Sequence, residues 1–347
     1  PTASQRAEQL VLYADALVGK KEHRRALTYY RQALQLSRLQ PRPASSPPGA
    51  APGGPGLVAG TPAEAEVKFK MAKCHLALKE SRVALTELET IPARARTLPI
   101  SLTLAQLYHH TGYERAAIAC YKECLKLCPY ALEALTALAD LGVRAPEIRS
   151  LLPPQAGGAL ADAADPGAWV WRLAEGHAAA AGHDHAAAFE CFDALAGTFP
   201  NNVHVLLAGA RAKSAVGCQG DAAALYQQAR AVDAQSLTDM DLYATLMRSQ
   251  GNMLELNRLT HELLNTDAKR PEAWAASAVY WEARKDRLRA LSYAEKGVRL
   301  DERHVNSHLL KGRLNLELKR PEAAAAAFRR AQSLRPDLAA YQGLVGA

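Results

Sequence analysis

Apolar residues recur at helical spacing along most of this chain, and the stretch from Leu98 to Ala131 shows the pattern most plainly. Leu102, Leu104, Ala105, Leu107 and Tyr108 mark one face of a first helix; Ala117, Tyr121, Cys124 and Leu125 mark one face of a second. Gly112 falls between them, where the residue that closes a helix is best left-handed and glycine adopts that conformation cheaply. Pro129 stops the second helix, because it lacks an N–H and its ring disfavours helix at the residue before it. Small Ala105 and Ala117 stand where two antiparallel helices must approach closely, with Tyr108 and Tyr121 filling the space beside them.

The same arrangement returns along the chain. Residues 7–39 place Ala14 and Ala26 at the contact positions, with Tyr30 and Ala33 packing in the second helix; residues 65–92 place Ala72 and Ala84 there. From Val203 the period is strict: Ala222, Leu256, Ala290 and Ala324 are 34 residues apart, and so are Ala210, Ala244, Ala278 and Gly312. Leu256 breaks the small-residue rule, so its helix pair is expected to splay. Helix pairs at this period, with small crossing residues, a turn and a closing proline, form the tetratricopeptide pattern. The expected fold is all-α, a right-handed solenoid of antiparallel helix pairs.

Two segments interrupt the pattern. Residues 40–62 are more than half Pro and Gly, so they can neither form helix nor bury a core and are expected to be disordered. Thr61, Pro62 and Glu64 then supply a helix start: a cap, a first-turn proline and a capping-box acid. Residues 130–143 read as a first helix with no clear second one, and 150–168 as an irregular crossing. Repeats resume near Ala168, with Trp171, Gly182, Ala187 and Ala194 as the pattern residues. The organisation expected is an N-terminal block over 1–131, a degenerate repeat over 132–167, and a C-terminal block over 168–347. The chain opens at Pro1 without a Met and ends inside the start of a further helix, so it reads as a portion of a longer array.

Composition supports the helical reading. The chain is 49% apolar but only 6% aromatic; Ala and Leu, the best helix formers, dominate, and no alternating Val/Ile run suggests strands. The net charge of +7 is spread among acids as well as bases, which suits a solvated helical surface better than a nucleic-acid footprint. No apolar run reaches the roughly 18 residues that span a bilayer. Six cysteines in a long helical chain do not resemble a secreted disulfide framework, so a reducing compartment is expected.

Candidate chemistry is sparse. Cys120, Cys124 and Cys128 share one helix face near His109 and His110, but metal sites usually hold closely paired cysteines on turns, and Cys124 already occupies a packing position. His183-Asp184-His185 is more simply a helix start, with Asp184 at the positive end of the dipole. Phosphate loops, dinucleotide fingerprints, GxSxG and HExxH are all missing from the sequence. No cofactor and no enzymatic activity are expected. Acidic residues read as solvent-facing partners of Lys and Arg. Arrays of this family line a concave groove with first-helix residues, and registering the repeats puts Arg172, Arg211, Arg248 and Arg313 there. Such a groove would suit an acidic or C-terminal carboxylate peptide, against the plainer reading of arginines on a solvated surface.

More specific segments narrow the resemblance. LVLYADAL from Leu10, EVKFKMAKCHLALK from Glu66, YKECLKLCPYALEAL from Tyr121 and MDLYATLMRSQG from Met240 resemble the subunit 7 family of the anaphase-promoting complex (cyclosome), as does the order of elements. The resemblance implies a non-catalytic scaffold in a multisubunit ubiquitin ligase of mitosis, found in nucleus and cytoplasm. It also implies a homodimer that touches the neighbouring tetratricopeptide subunit 3 and a small accessory subunit. The dimer contact is expected in the N-terminal block, whose groove positions include apolar Val11, Phe69, Leu76 and Leu102. Two other classes stay open: a co-chaperone-type peptide receptor, and an RNA-processing helical-repeat protein with steeply salt-dependent binding.

Overall fold

The computed structural model describes residues 3–38, 62–152, 168–336 and 338–347. Its α-helices form nine successive pairs and a final single helix, and no strand occurs among the described residues. They are α1 (Ala3–Gly19), α2 (His23–Arg38), α3 (Pro62–Ala77), α4 (Ser81–Glu89), α5 (Leu98–Thr111) and α6 (Glu114–Leu127). Then come α7 (Leu132–Asp140), α8 (Ala145–Leu151), α9 (Ala168–Ala181), α10 (His185–Thr198), α11 (Val203–Val216) and α12 (Gln219–Val232). The chain closes with α13 (Met240–Ser249), α14 (Met253–Thr266), α15 (Pro271–Ala283), α16 (Arg287–Leu300), α17 (Val305–Glu317), α18 (Pro321–Leu334) and α19 (Leu338–Val345). Two compact units result, Pro1–Ala174 and Glu175–Ala347. The all-α repeat fold expected from the sequence is the fold observed.

The turn inside every pair obeys one backbone rule. Lys21, Lys79, Gly112, Gly142, His183, Gly217, Gly251, Lys285 and Lys319 all have φ between +57° and +96°. Each follows the first helix of its pair, where a left-handed residue lets the chain reverse while the last carbonyls still accept hydrogen bonds. At Gly112, for example, the next amide, Tyr113 N–H, donates to Tyr108 O at 2.9 Å. Four of the nine are glycine. The other five are basic, which the negative end of the preceding helix favours and which offsets part of the cost of left-handed geometry.

Outside the α9–α10 pair, the crossing residues lie where the spacing puts them. Ala14, Ala26, Ala72, Ala84, Ala105 and Ala117 are fully buried in the first unit, as are Ala210, Ala222, Ala244, Ala278, Ala290 and Ala324 in the second. Tyr30 and Tyr121 fill the gaps beside them. Leu256 is fully buried too, and α13 meets α14 less extensively than most pairs meet, packing more on α15. A leucine at the crossing and the short α13 together account for that splay. In the first unit Asp15 ties two repeats together, accepting hydrogen bonds from the Tyr30 hydroxyl and from Lys70 Nζ, the latter at 2.8 Å.

Three expectations need correction. The degenerate repeat does have a second helix, α8, whose seven residues begin with Ala145-Pro146 and bury Ile148. A short segment with one apolar anchor carries too little periodicity to be read from sequence. In the next pair the buried contact is Ala188, not Ala187, and the packing face continues through Phe192 and Leu195 rather than Ala194. The left-handed turn residue there is His183, not Gly182; an alanine-rich run offers no contrast between neighbouring positions, so the register slipped by one. Pro62 is the first residue of α3, the place expected of it, while 40–61, including the proposed cap Thr61, lies outside the described residues. The crossing over 153–167 lies outside them as well.

Candidate interaction surfaces

Three groups of residues remain once packing is accounted for. The first is the N-terminal set. Val11, Phe69, Leu76 and Leu102 are each half-buried. Val11 leans on the core of the first repeat, and the Lys73 ammonium stands 4.4 Å from the Phe69 ring centroid. Their neighbours Leu12 and Tyr13, 68% and 46% exposed, are more open to a partner than Val11 is. Sequence reading passed over both because they fall just outside the stripe set by Ala7 and Ala14. Tyr13 is held edge-on against Tyr29 at 4.8 Å, which presents a fixed aromatic surface.

The second is the cysteine face. Cys120 and Cys124 are buried, and burial pushes both thiols up, Cys124 to about 12. A thiol so poorly ionised is not a ready nucleophile, and the burial of Cys120 and Cys124 makes this a packing face. Asp184 also has a structural role: its Oδ1 accepts from Ala187 N–H at 3.2 Å and caps α10.

The third is the arginine set, and three of its four charges are answered inside the chain. Arg211 Nε lies 3.2 Å from Asp239 Oδ2. Glu282, on α15, takes two arginines from the flanking repeats: Arg248 Nη1 at 3.0 Å, and Arg313 through Nε and Nη2, both at 2.8 Å. The Glu282 side chain is only 4% exposed. Arg172 stands apart; by the 34-residue register it is level with Leu206, Met240, Trp274 and His308, whereas Arg211 and Arg313 are level with each other. The expectation that acids occupy solvent faces therefore fails at Glu64, Asp241 and Glu282, which are buried. Glu64 lies 3.3 Å from Lys68 Nζ. Asp241 Oδ2 accepts from Asn306 Nδ2 at 2.7 Å. Beside Asp241, Asp239 sits at φ +61°, and burial raises its carboxyl above the ordinary range although Arg211 opposes the shift. Sequence pattern gave no warning, because an acid one repeat away from an arginine looks like any surface charge.

A histidine pair borders this set. His177 Nε2 and His204 Nε2 are 3.0 Å apart, so one ring nitrogen donates and the other accepts. Burial first, then the neighbouring His204 and Arg211, pushes His177 down to about 3; burial and Arg211 lower His204 as well. Because the folded value lies below the unfolded one, the unfolded chain binds more protons as pH falls. Stability from this pair is complete above about pH 6.5 and is lost progressively below it. The expected result is a urea midpoint that drops on going from neutral to mildly acidic buffer, with a shallower drop in His177→Leu. Equal slopes in the two proteins would mean that the pair does not stay neutral.

Comparison with known proteins follows the same lines. Residues 98–141 and 305–338 match family models of the tetratricopeptide repeat. Anaphase-promoting complex subunit 7 of Arabidopsis thaliana is 42% identical over 98% of this chain and 62% of its own length. The subunit 7 of Homo sapiens is 30% identical over 98% of the chain and 60% of its own length. The chain thus spans about three fifths of these relatives. A crystal structure of the APC/C hetero-tetramer Cut9-Hcn1 shares the fold, with a TM-score of 0.61 at 16% identity, covering 95% of this chain and 66% of that one. The chain carries tetratricopeptide repeats and is similar along nearly all of its length to subunit 7 of the anaphase-promoting complex.

Proposed function

We propose that the protein is a non-catalytic scaffold subunit of an anaphase-promoting complex, joining a multisubunit ubiquitin ligase through its repeats. The observation that carries this reading is 42% identity to a subunit 7 across 98% of the chain. In that role it pairs with a second copy of itself and contacts other tetratricopeptide subunits, notably subunit 3, and a small accessory subunit, in nucleus and cytoplasm. An acidic-peptide receptor is less well supported, since Asp239 and Glu282 already engage three of the groove arginines. Affinity purification of the tagged protein from dividing cells, followed by mass spectrometry, is expected to recover ligase subunits in stoichiometric amounts. Recovery of chaperones or ribonucleoproteins in their place would overturn the assignment.

Self-pairing is placed on the N-terminal unit, at Val11, Phe69, Leu76 and Leu102 together with the more exposed Leu12 and Tyr13. Clustered apolar exposure is characteristic of contact surfaces, and two-fold pairs are the commonest closed assembly. Light scattering coupled to size exclusion is expected to give a dimeric mass at micromolar protein, and Phe69→Glu a monomeric one. A monomer before substitution sinks the idea.

A further inference from the structure

One edge of the C-terminal unit carries a surface that neither the groove nor the core explains. Leu254 and Leu288 are 86% and 64% exposed, among the most open large apolar residues described. Scattered exposed leucines are ordinary. These two are not scattered: each is the second residue of the second helix in its pair, and they are 34 positions apart, so consecutive repeats present them at the same place. Neither takes part in the helix crossing, which Leu256 and Ala290 make two residues later.

The turn that carries Leu288 and the one after it are strongly cationic. Arg284, Lys285, Arg287 and Arg289 surround Leu288, and Lys319 and Arg320 follow in the next turn. Arg287 Nε donates to Glu317 at 2.7 Å, and Arg289 lies 3.2 Å from Asp286. Lys285, Lys319 and Arg320, all exposed, have no carboxylate partner among the described residues. Behind the turn the Trp281 ring forms a floor, with the Arg289 and Arg284 guanidinium carbons 4.8 and 5.6 Å from its centroid. Cations seated over an aromatic face next to open leucines complement a chain that offers both carboxylates and aliphatic side chains.

We propose that this turn edge, from Leu254 through Lys285 and Leu288 to Arg320, docks an acidic, leucine-bearing peptide segment of another protein. A nucleic acid fits less well. Phosphates would answer the cations but leave both leucines in water, and Asp286, Glu317 and Glu322 stand among the bases where a regular phosphate backbone would pass. The site lies on the outer turns, so it does not depend on the groove arginines or on membership of the ligase.

The test uses fluorescence anisotropy with the whole chain and a labelled peptide of alternating Glu-Glu and Leu-Leu pairs. Controls are a Glu/Gly peptide of equal charge and a labelled oligothymidylate. Binding of the Glu/Leu peptide is expected, with at least about a tenfold loss of affinity in L254S/L288S and separately in K285S/K319S, both folded by circular dichroism. The Glu/Gly peptide is expected to bind at least about tenfold more weakly. Equal binding of Glu/Gly, tighter binding of the oligothymidylate, or an unchanged affinity in L254S/L288S overturns the proposal.

Discussion

Phe328→Ala is expected to destabilise the end of the repeat array by about 3–5 kcal/mol, the usual cost of emptying a large aromatic site in a core. Phe328, on α18, is 4% exposed. Its ring occupies space that two glycines leave free: a Cβ added to Gly312 on α17 or to Gly343 on α19 would fall within 3 Å of it. Three helices therefore meet on one side chain, and shortening it opens a void that no neighbour is long enough to fill. Repeats bury apolar surface only against adjacent repeats, so the loss stays local. Urea unfolding followed by circular dichroism should show α17 to α19 melting in an early, separate transition. A single transition shifted by less than about 1 kcal/mol would show that the glycines, not the ring, determine the packing.

The second large effect belongs to Glu282. Removing one member of a buried ion pair leaves the other uncompensated and costs about 3–5 kcal/mol where both are fully buried. Here Arg248 and Arg313 keep 31% and 41% of their side chains exposed, so water relieves part of the penalty. Glu282→Ala is expected to cost about 2–3 kcal/mol, leaving two guanidinium groups that no longer share an acceptor. Raising the salt concentration should shrink the difference from the parent protein, because screening weakens the repulsion left behind. Denaturant titrations of both proteins at low and high salt measure this. A loss below about 0.5 kcal/mol at low salt would mean that the bridge contributes specificity of alignment without stability.

What could be read from the chain, and what could not, follows from the range of the interactions involved. Ala222, Ala290 and Ala324 were visible at once, because a close helix crossing tolerates few side chains and the 34-residue period repeats the demand. Leu256 was visible as an exception for the same reason, and its consequence, a loosened α13–α14 pair, could be foreseen. Between Ala178 and Ala188 the alanines are so dense that the crossing residue has no contrast, and only the backbone reversal at His183 fixes the register. α8 escaped notice because seven residues with one buried anchor carry almost no period. Buried acids are the hardest case. Glu282 lies 34 residues after Arg248 and 31 before Arg313, and only the stacking of repeats makes it a shared acceptor. The candidate surfaces were legible to the same degree: apolar Val11 and Phe69 were found by pattern, whereas Leu12, Leu254 and Leu288 needed exposure to single them out.

The left-handed residue in every helix-to-helix turn has a consequence for how such a chain can change over time. The backbone there asks only for positive φ; glycine meets that demand freely, and lysine or histidine meets it with help from the helix end. Identity at the site is thereby set by backbone conformation and not by packing, since a Cβ at Gly217 or Gly251 meets nothing within 4 Å. A codon change between glycine and lysine at Gly217, Gly251, Lys285 or Lys319 would add or remove one unit of surface charge while leaving the crossings untouched. Each repeat thus carries an address that can be rewritten alone, at the cost of local backbone strain where a glycine is replaced, so new partners can be acquired turn by turn.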